Sequence, residues 1–440
     1  MRNAIEENVR ACPECGAEVR TDRRFTAWCA ACDWNVDPGG PEKEAGRPEE
    51  LRQASARRHG ERLSAEVAAG GTPTSGWDRA GVLAYVMALA VHGVTVALAV
   101  GGILLVVLGW GTLLPALGAI SLVLGCALRP RFGRLPDGPV LYRADAPQLF
   151  ALIDEVAVVA GTTGVHAVAV TPDVNASVTT YGWRQRRLLT IGLGLWEYAT
   201  PQQRIALLGH ELGHYANGNV RYGLVVGSAV RSLTEWLYMV QPESKSPVFY
   251  GGRLVGYFRA QRVPSVVLNV FYLPARSAVQ GLLTLLDRLS SRAAQRGEYL
   301  ADAIAARAGS TEAAVGLIDC LLVTGSAETL LLREANAART VRRGGRAAKP
   351  GVDPRGLWER LAAHMASIPE HEYERQRRAG ALRGHSVDAT HPPTHLRRAC
   401  LLARPAAPAA VTVDDARQTA IAVELAPAQE QLARQILARS

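Results

Sequence analysis

Hydrophobic and polar positions divide the chain into stretches of different period. From Ala80 to Leu128 there is no Asp, Glu, Lys or Arg. One bilayer crossing needs about 20 apolar residues, so this run predicts two helices joined by a tight turn at Gly109-Trp110-Gly111, with Gly101-Gly102 as a second candidate. It starts too late and runs too long for a signal peptide. A buried helix pair of a soluble core is the alternative. His92 lies in the first span and reads as a neutral histidine packed against its neighbour. Downstream, Asp145 to Ala160 has apolar positions at helical spacing, and Val165 to Thr171 has the β-branched alternation of a strand. Asn175 to Tyr181 and Arg187 to Ile191 flank Gly182-Trp183-Arg184-Gln185, which predicts a hairpin.

Helices dominate the rest. Thr200-Pro201-Gln202-Gln203 is a helix start: Thr200 can cap, Pro201 suits the first turn and Gln203 can complete a capping box. That helix should run to about Ala216, with Asn217-Gly218 as its stop. Val266 to Leu286 is apolar but interrupted by Pro274 and Arg276, and reads as a membrane-contacting or interfacial helix. Residues 339–357 carry Arg339, Arg342, Arg343, Arg346 and Lys349 among glycines and prolines, the pattern of a solvated loop. Ala403 to Ala410 is rich in Pro and Ala and precedes a C-terminal helix.

Composition narrows the class. The chain has 440 residues, is 48% hydrophobic and 20% charged, which excludes a wholly disordered chain. Its net charge of +9 could serve nucleic acid or an anionic membrane face. The arginines are scattered or flank the apolar run, as Arg57, Arg58, Arg62 and Arg79 before it and Arg129, Arg131 and Arg134 after it. No basic-aromatic patch specifies nucleic acid, so no such partner is expected. Positive residues on both flanks favour a hairpin whose two ends stay in the cytoplasm. Four of the seven cysteines form Cys12-Pro-Glu-Cys15 and Cys29-Ala-Ala-Cys32, a zinc-ribbon spacing in which four thiolates complete a tetrahedron. Disulfides are the alternative, but reduced thiolates agree with a cytoplasmic side. Five segments result: a ribbon over 1–36, a linker with a short helix over 37–79, a transmembrane hairpin over 80–128, a main domain over 140–402 with an apolar segment near 222–288, and a linker plus helix over 403–440.

The chemistry lies in His210-Glu211-Leu212-Gly213-His214. Residues four apart lie one above the other on a helix, so both imidazoles can reach one metal ion while Glu211 can address a water bound to it. A catalytic zinc takes three protein ligands and keeps one position open. A third histidine in an extended motif would need Gly at 217 and His at 220, which hold Asn217 and Val220. The other solution is a glutamate on a separate helix, and Glu298-Tyr299-Leu300-Ala301-Asp302 supplies it. Glu298 can bind zinc while Asp302, four residues on, accepts a hydrogen bond from a ligand imidazole.

With Asn175-Ala176 after a strand and His391-Pro-Pro-x-x-x-Arg397 near the end, these motifs resemble the HtpX-like membrane zinc metallopeptidases, relatives of the CAAX-prenyl endopeptidases, over roughly Leu141 to Arg398. The resemblance implies a mainly α fold with a small β-sheet, an α+β catalytic domain of gluzincin type. It implies a peptidase with His210, His214 and Glu298 on zinc, Glu211 as general base, and Asn175 and Ala176 on an edge strand that holds the substrate backbone. His391 and Arg397 would approach the site late in the chain as catalytic donors. Two zinc ions are then expected, one catalytic and one in the ribbon. The expected partners are protein or peptide substrates, membrane proteins among them, and the lipid bilayer of the cell membrane. The N-terminal ribbon and the broken apolar segment depart from the family pattern. A catalytically silent membrane scaffold that uses the ribbon for binding is the alternative function.

Overall fold

The computed structural model describes residues 8–38, 79–130, 133–216, 219–239, 249–250, 253–254, 266–343, 354–383 and 392–438, together with positions 58, 60–62 and 65–66. Strands β1 (Asn8–Ala11) and β2 (Glu18–Thr21) form an antiparallel pair. Gly16 turns the first cysteine knuckle with φ +72°, a conformation that costs glycine nothing. The knuckle closes with Gly16 N–H on the Cys12 carbonyl at 3.0 Å.

The uncharged run folds as α1 (Arg79–Leu108) and α2 (Leu114–Leu128). The turn falls at Gly109-Trp110-Gly111, as expected. Gly101-Gly102, the other candidate turn, lies inside α1, where Gly102 serves close packing: a Cβ on the facing Gly118 would sit 2.7 Å from the Gly102 carbonyl oxygen. Ser121 donates across the pair to Leu98 O at 2.8 Å. By length and composition Ala80–Leu108 suffices to cross a membrane, with a mean hydropathy of 2.4 and 11% of its most apolar window buried. Helix α2, at 15 residues, reaches only about 22 Å.

Next comes a four-stranded sheet of β3 (Val140–Leu141), β4 (Ala167–Thr171), β5 (Ala176–Tyr181) and β6 (Arg186–Gly192), in the order β3-β4-β6-β5. Strand β6 runs parallel to β4 and antiparallel to β5, so β5 is an edge. Helix α3 (Pro147–Ala160) follows β3, and α4 (Leu193–Trp196) leads to α5 (Pro201–Ala216). The capping box at the start of α5 closes in both directions: Thr200 N–H reaches Gln203 Oε1 at 2.9 Å, and Gln203 N–H reaches Thr200 Oγ1 at 3.3 Å. Phe150, Ile153, Leu189, Ile191, Leu208 and Leu212 join these elements in one core, each fully buried.

Helix α6 (Asn219–Met239) is followed by the two-residue strands β7 (Phe249–Tyr250) and β8 (Arg253–Leu254), and then by α7 (Val266–Gly309). The apolar segment Val266 to Leu286, read as a helix despite Pro274 and Arg276, is the first part of α7, which continues without interruption to Glu298 and Asp302. Pro274 removes a single backbone bond; residues 273–278 around it are exposed, and packing against α1 and α6 starts farther on, at Val279, Leu283 and Leu286. Ala84, Ala88 and Val91 of α1 form a second core with Val226, Ala229 and Leu233 of α6 and Leu286 of α7. His92 joins this layer by hydrogen bonding to Ser228 Oγ at 2.9 Å.

Helices α8 (Thr311–Leu322), α9 (Thr324–Arg343), α10 (Leu357–Ala366), α11 (Glu370–Arg383), α12 (Thr394–Leu402) and α13 (Asp415–Ala438) complete the fold. The arginine-rich loop expected over 339–357 is helical as far as Arg343, where α9 ends; residues 344–353 lie outside the described residues. The α8–α9 pair is apolar but bent by 52°, and its Ala314, Leu317, Ile318 and Ala327 are buried in the main core. Ile421, Leu425 and Leu432 of α13 join the same core, so the C-terminal helix is not a separate appendage.

Candidate metal centre and peptidase site

Helices α5 and α7 cross at close range because both present small residues. A Cβ on Gly209 would meet Ala308 Cβ at 2.9 Å, and one on Gly213 would meet Ala301 Cα at 3.0 Å. Ala301, Ala305 and Ala308 are essentially fully buried. Sequence reasoning passed over this pairing, although its signal was present: Gly209-x-x-x-Gly213 frames the two histidines, and Ala301-x-x-x-Ala305 follows Glu298 at the same spacing.

The close crossing brings His210 and His214 to Glu298. His210 Nε2 lies 3.4 Å from one Glu298 oxygen and His214 Nε2 lies 3.6 Å from the other, and one donor atom from each of the three residues falls within 4.8 Å of the rest. Donors about 2.0–2.1 Å from a tetrahedral zinc stand some 3.3–3.4 Å apart, so the set fits such an ion. The rings of His210 and His214 meet edge to face, with centroids 4.9 Å apart.

Behind His210 the charges are paired. Asp302 Oδ1 lies 3.0 Å from His210 Nδ1, so Nδ1–H donates to the carboxylate and Nε2 is the ring nitrogen turned to Glu298. Arg397, on α12, donates to Asp302 through Nη2 at 2.6 Å and Nε at 2.9 Å, and its Nη1 lies 3.8 Å from Glu298. Burial disfavours charge on Asp302, but Arg397 outweighs it and holds that carboxyl well below the usual carboxylate range. Burial likewise opposes a charged His210, yet hydrogen bonds to Asp302 and Glu298 push it up to about 10. Such an excess of negative donor charge around Nε2 suits a divalent cation.

Glu211 is buried beside His210 at 7% exposure. A cavity of about 30 Å³ brings Asn175, Glu211, Asp302 and Arg397 together with the apolar Leu207 and Leu317, room enough to admit a water. Asn175 directly precedes edge strand β5, which begins at Ala176, and its side-chain oxygen accepts from the Ala176 N–H at 2.8 Å. His391 lies outside the described residues.

A second donor cluster lies at the N-terminus. Cys12 and Cys32 Sγ are 3.7 Å apart, Cys15 and Cys29 Sγ are 3.5 Å apart, and all four thiols are free of disulfides. Thiolates about 2.3 Å from a tetrahedral zinc stand some 3.8 Å apart, so this set also fits.

Comparison with known proteins agrees with the geometry. The family model for peptidase family M48 matches residues 143–404. Protease HtpX of Pseudomonas putida strain GB-1 is 26% identical over 160 residues, 36% of this chain and 50% of that protein, and the strain W619 protein is 27% identical over the same shares. The chain thus spans about half the length of these curated relatives. No solved structure matches it. On the family match, which covers more than half of its residues, the chain belongs to peptidase family M48 and is similar to HtpX.

Proposed function

We propose that the protein is an integral-membrane zinc endopeptidase acting on membrane or misfolded proteins from the cytoplasmic side. The observation that carries this reading is the convergence of His210, His214 and Glu298, with one donor atom of each within 4.8 Å of the others and Glu211 buried beside them. Those three residues hold the catalytic metal. When bound, zinc supplies Lewis acidity toward a carbonyl oxygen and acidifies a water.

The chain's own residues do the rest. Glu211 takes the proton of the attacking water on its carboxylate and returns it to the leaving amine, which requires hydrogen-bond reach in the substrate complex. Edge strand β5 pairs with an extended substrate backbone, and Asn175 at its entrance sets where that backbone stops. Asp302 fixes the tautomer of His210. The donors of Arg397 face Asp302 and Glu298, so it acts as a positioning residue, and a donor for the developing oxyanion is left to His391. In the ribbon, Cys12, Cys15, Cys29 and Cys32 hold a structural zinc.

Membrane integration rests on α1 and α2, whose lipid-facing side chains include Val96, Val107 and Leu108 at 60%, 65% and 78% exposure. So broad an apolar surface is not kept in water by a soluble monomer. Both helices cross, with the shortness of α2 met by local bilayer thinning and by Arg129 reaching to the interface. Trp110, at the tip, sits where interfacial aromatics anchor.

The test is cleavage of a denatured membrane protein in detergent by the native chain, by Glu211→Gln and by chelator-treated protein. Cleavage by the native chain alone, with metal content unchanged in the Gln variant, is expected. An active Glu211→Gln enzyme removes the assignment.

A further inference from the structure

The ribbon is bound face-on to the peptidase domain. Trp28, 4% exposed, donates its indole N–H to the His371 carbonyl at 3.2 Å, and Arg378 stacks over its ring at 5.1 Å. Arg378 also donates to the Ala30 carbonyl and to Asp33, both at 2.8 Å. Arg375, 9% exposed, is gripped by Glu372 at 2.7 and 2.8 Å and turns its remaining donor to the Val36 carbonyl at 2.9 Å. From the ribbon side Arg24, held by Asp22, donates to Ser367 at 2.7 and 2.9 Å. Two of the ribbon's contact residues sit at its second knuckle: Ala30 lies between Cys29 and Cys32, and Asp33, with φ +58°, bonds back to the Cys29 carbonyl.

The helix so gripped, α11, leads toward the site. Arg377 on α11 donates to Asp319 of α8 at 3.1 and 3.2 Å, and Arg398 on α12 donates to the same carboxylate at 3.0 Å. Arg398 adjoins Arg397, whose fork holds Asp302 and through it His210. With Glu374 bonded to both Arg378 and Arg377, charge-assisted bonds run from the cysteine knuckle to Arg398, and the backbone from Arg398 to Arg397 completes the path to the imidazole behind the catalytic site, a physical connection of the kind coupling between two sites requires.

We propose that the ribbon is a metal-dependent buttress of the peptidase site, with Asp319 as the positioning residue that passes its hold from α11 to α12 and Arg397. This deepens the peptidase reading and depends on it. The buried hydrophobic core of the ribbon consists of Cys12, Val19 and Cys29, too little to fold a module of this size without a metal. Loss of the ribbon metal melts the second knuckle, frees α11, and lets Arg397 shift against Asp302. The occupancy of one metal site thereby sets the activity of the other.

The experiment compares the full chain in detergent with a Cys12→Ser/Cys15→Ser double variant, with Asp319→Asn and with Arg378→Ala. The readouts are metal per chain, amide hydrogen exchange over 370–402, and kcat and KM on a denatured-protein substrate. The double variant should lose one metal ion per chain, lose protection in α11 and α12, and show kcat reduced about tenfold or more with KM unchanged, the size of loss seen when support behind a metal ligand goes. Asp319→Asn should lower kcat and α12 protection while both metals stay. Native protection and native kcat in the ribbon variants overturn the proposal, as does an Asp319→Asn protein that behaves like the native chain. If the double variant unfolds globally, the Asp319 and Arg378 variants decide. If the native chain cleaves nothing, the peptidase reading fails while the exchange measurements still judge the buttress.

Discussion

Arg397, Asp302 and Glu298 are 3%, 4% and 5% exposed, and their charges meet behind His210. Removing a charge from water costs several kcal/mol unless a partner and hydrogen bonds compensate. Here the guanidinium fork satisfies both Asp302 oxygens at once. Taking it away removes the guanidinium charge from two buried carboxylates, which flank the His210 ring. Arg397→Met is therefore expected to destabilise the metal-free chain by about 3–5 kcal/mol, and Arg397→Lys by less, because the ammonium keeps the charge and loses the fork. Denaturant unfolding in detergent reads both. Asp302→Ala acts on the neighbouring atom: Nδ1 of His210 loses its acceptor, and metal retention should weaken by about ten- to a hundredfold in competition with a chelator. Glu298→Ala should lose the catalytic metal outright. Equal metal retention in the Asp302 variant would show that the ring is oriented by something else.

At the scale of elements, what was legible in the sequence was what local geometry decides. The capping box at Thr200 and Gln203, the hairpin around Gly182 and the placing of His210 and His214 on one helix face all depend on residues three to five apart. Such spacings fix contacts whatever the rest of the chain does. The extension of α7 past Leu286 to Glu298 and Asp302 was not legible, because it goes with packing of its later turns against α5 and α6 that local pattern does not contain. The docking of the ribbon was invisible for the same reason, since Trp28 meets His371 across more than three hundred residues. The α5–α7 crossing lay between these cases, for its small residues are visible but their partners are not. It yields a sharp prediction. Gly213→Val drives a branched side chain into Ala301, and overpacking of this kind costs about 1–3 kcal/mol. The helices must separate, so His214 leaves Glu298 and metal content falls. Gly213→Ala should do less. Adding Ala301→Gly should restore part of the metal to the Gly213→Ala protein, a coupling that a double-mutant cycle measures. Additive effects would mean that the glycine matters for some reason other than this crossing.

For the molecule as a whole, the question is what covers the outer faces of α1 and α2. Ile103 and Leu104 stand 53% and 50% exposed in the middle of the hairpin, far from the layer where Ala84, Ala88 and Val91 meet α6 and α7. Water and lipid make opposite predictions for a charge placed there. On a surface facing water, Ile103→Arg removes an exposed apolar group and improves solubility. At the centre of a membrane helix an arginine costs about 2.5–3.5 kcal/mol, enough to move a short hairpin out of register or expel it. Val9→Arg is the control, since Val9 is 59% exposed on the ribbon and should tolerate the charge on either view. Alkaline extraction of membranes should leave the native chain and the Val9 variant in the pellet. The Ile103→Arg and Leu104→Arg chains should appear in the supernatant or be degraded, with the double variant worse than either. A soluble, active Ile103→Arg protein with an intact hairpin would place that face in water, and the exposed apolar surface would then need a protein partner in place of a bilayer.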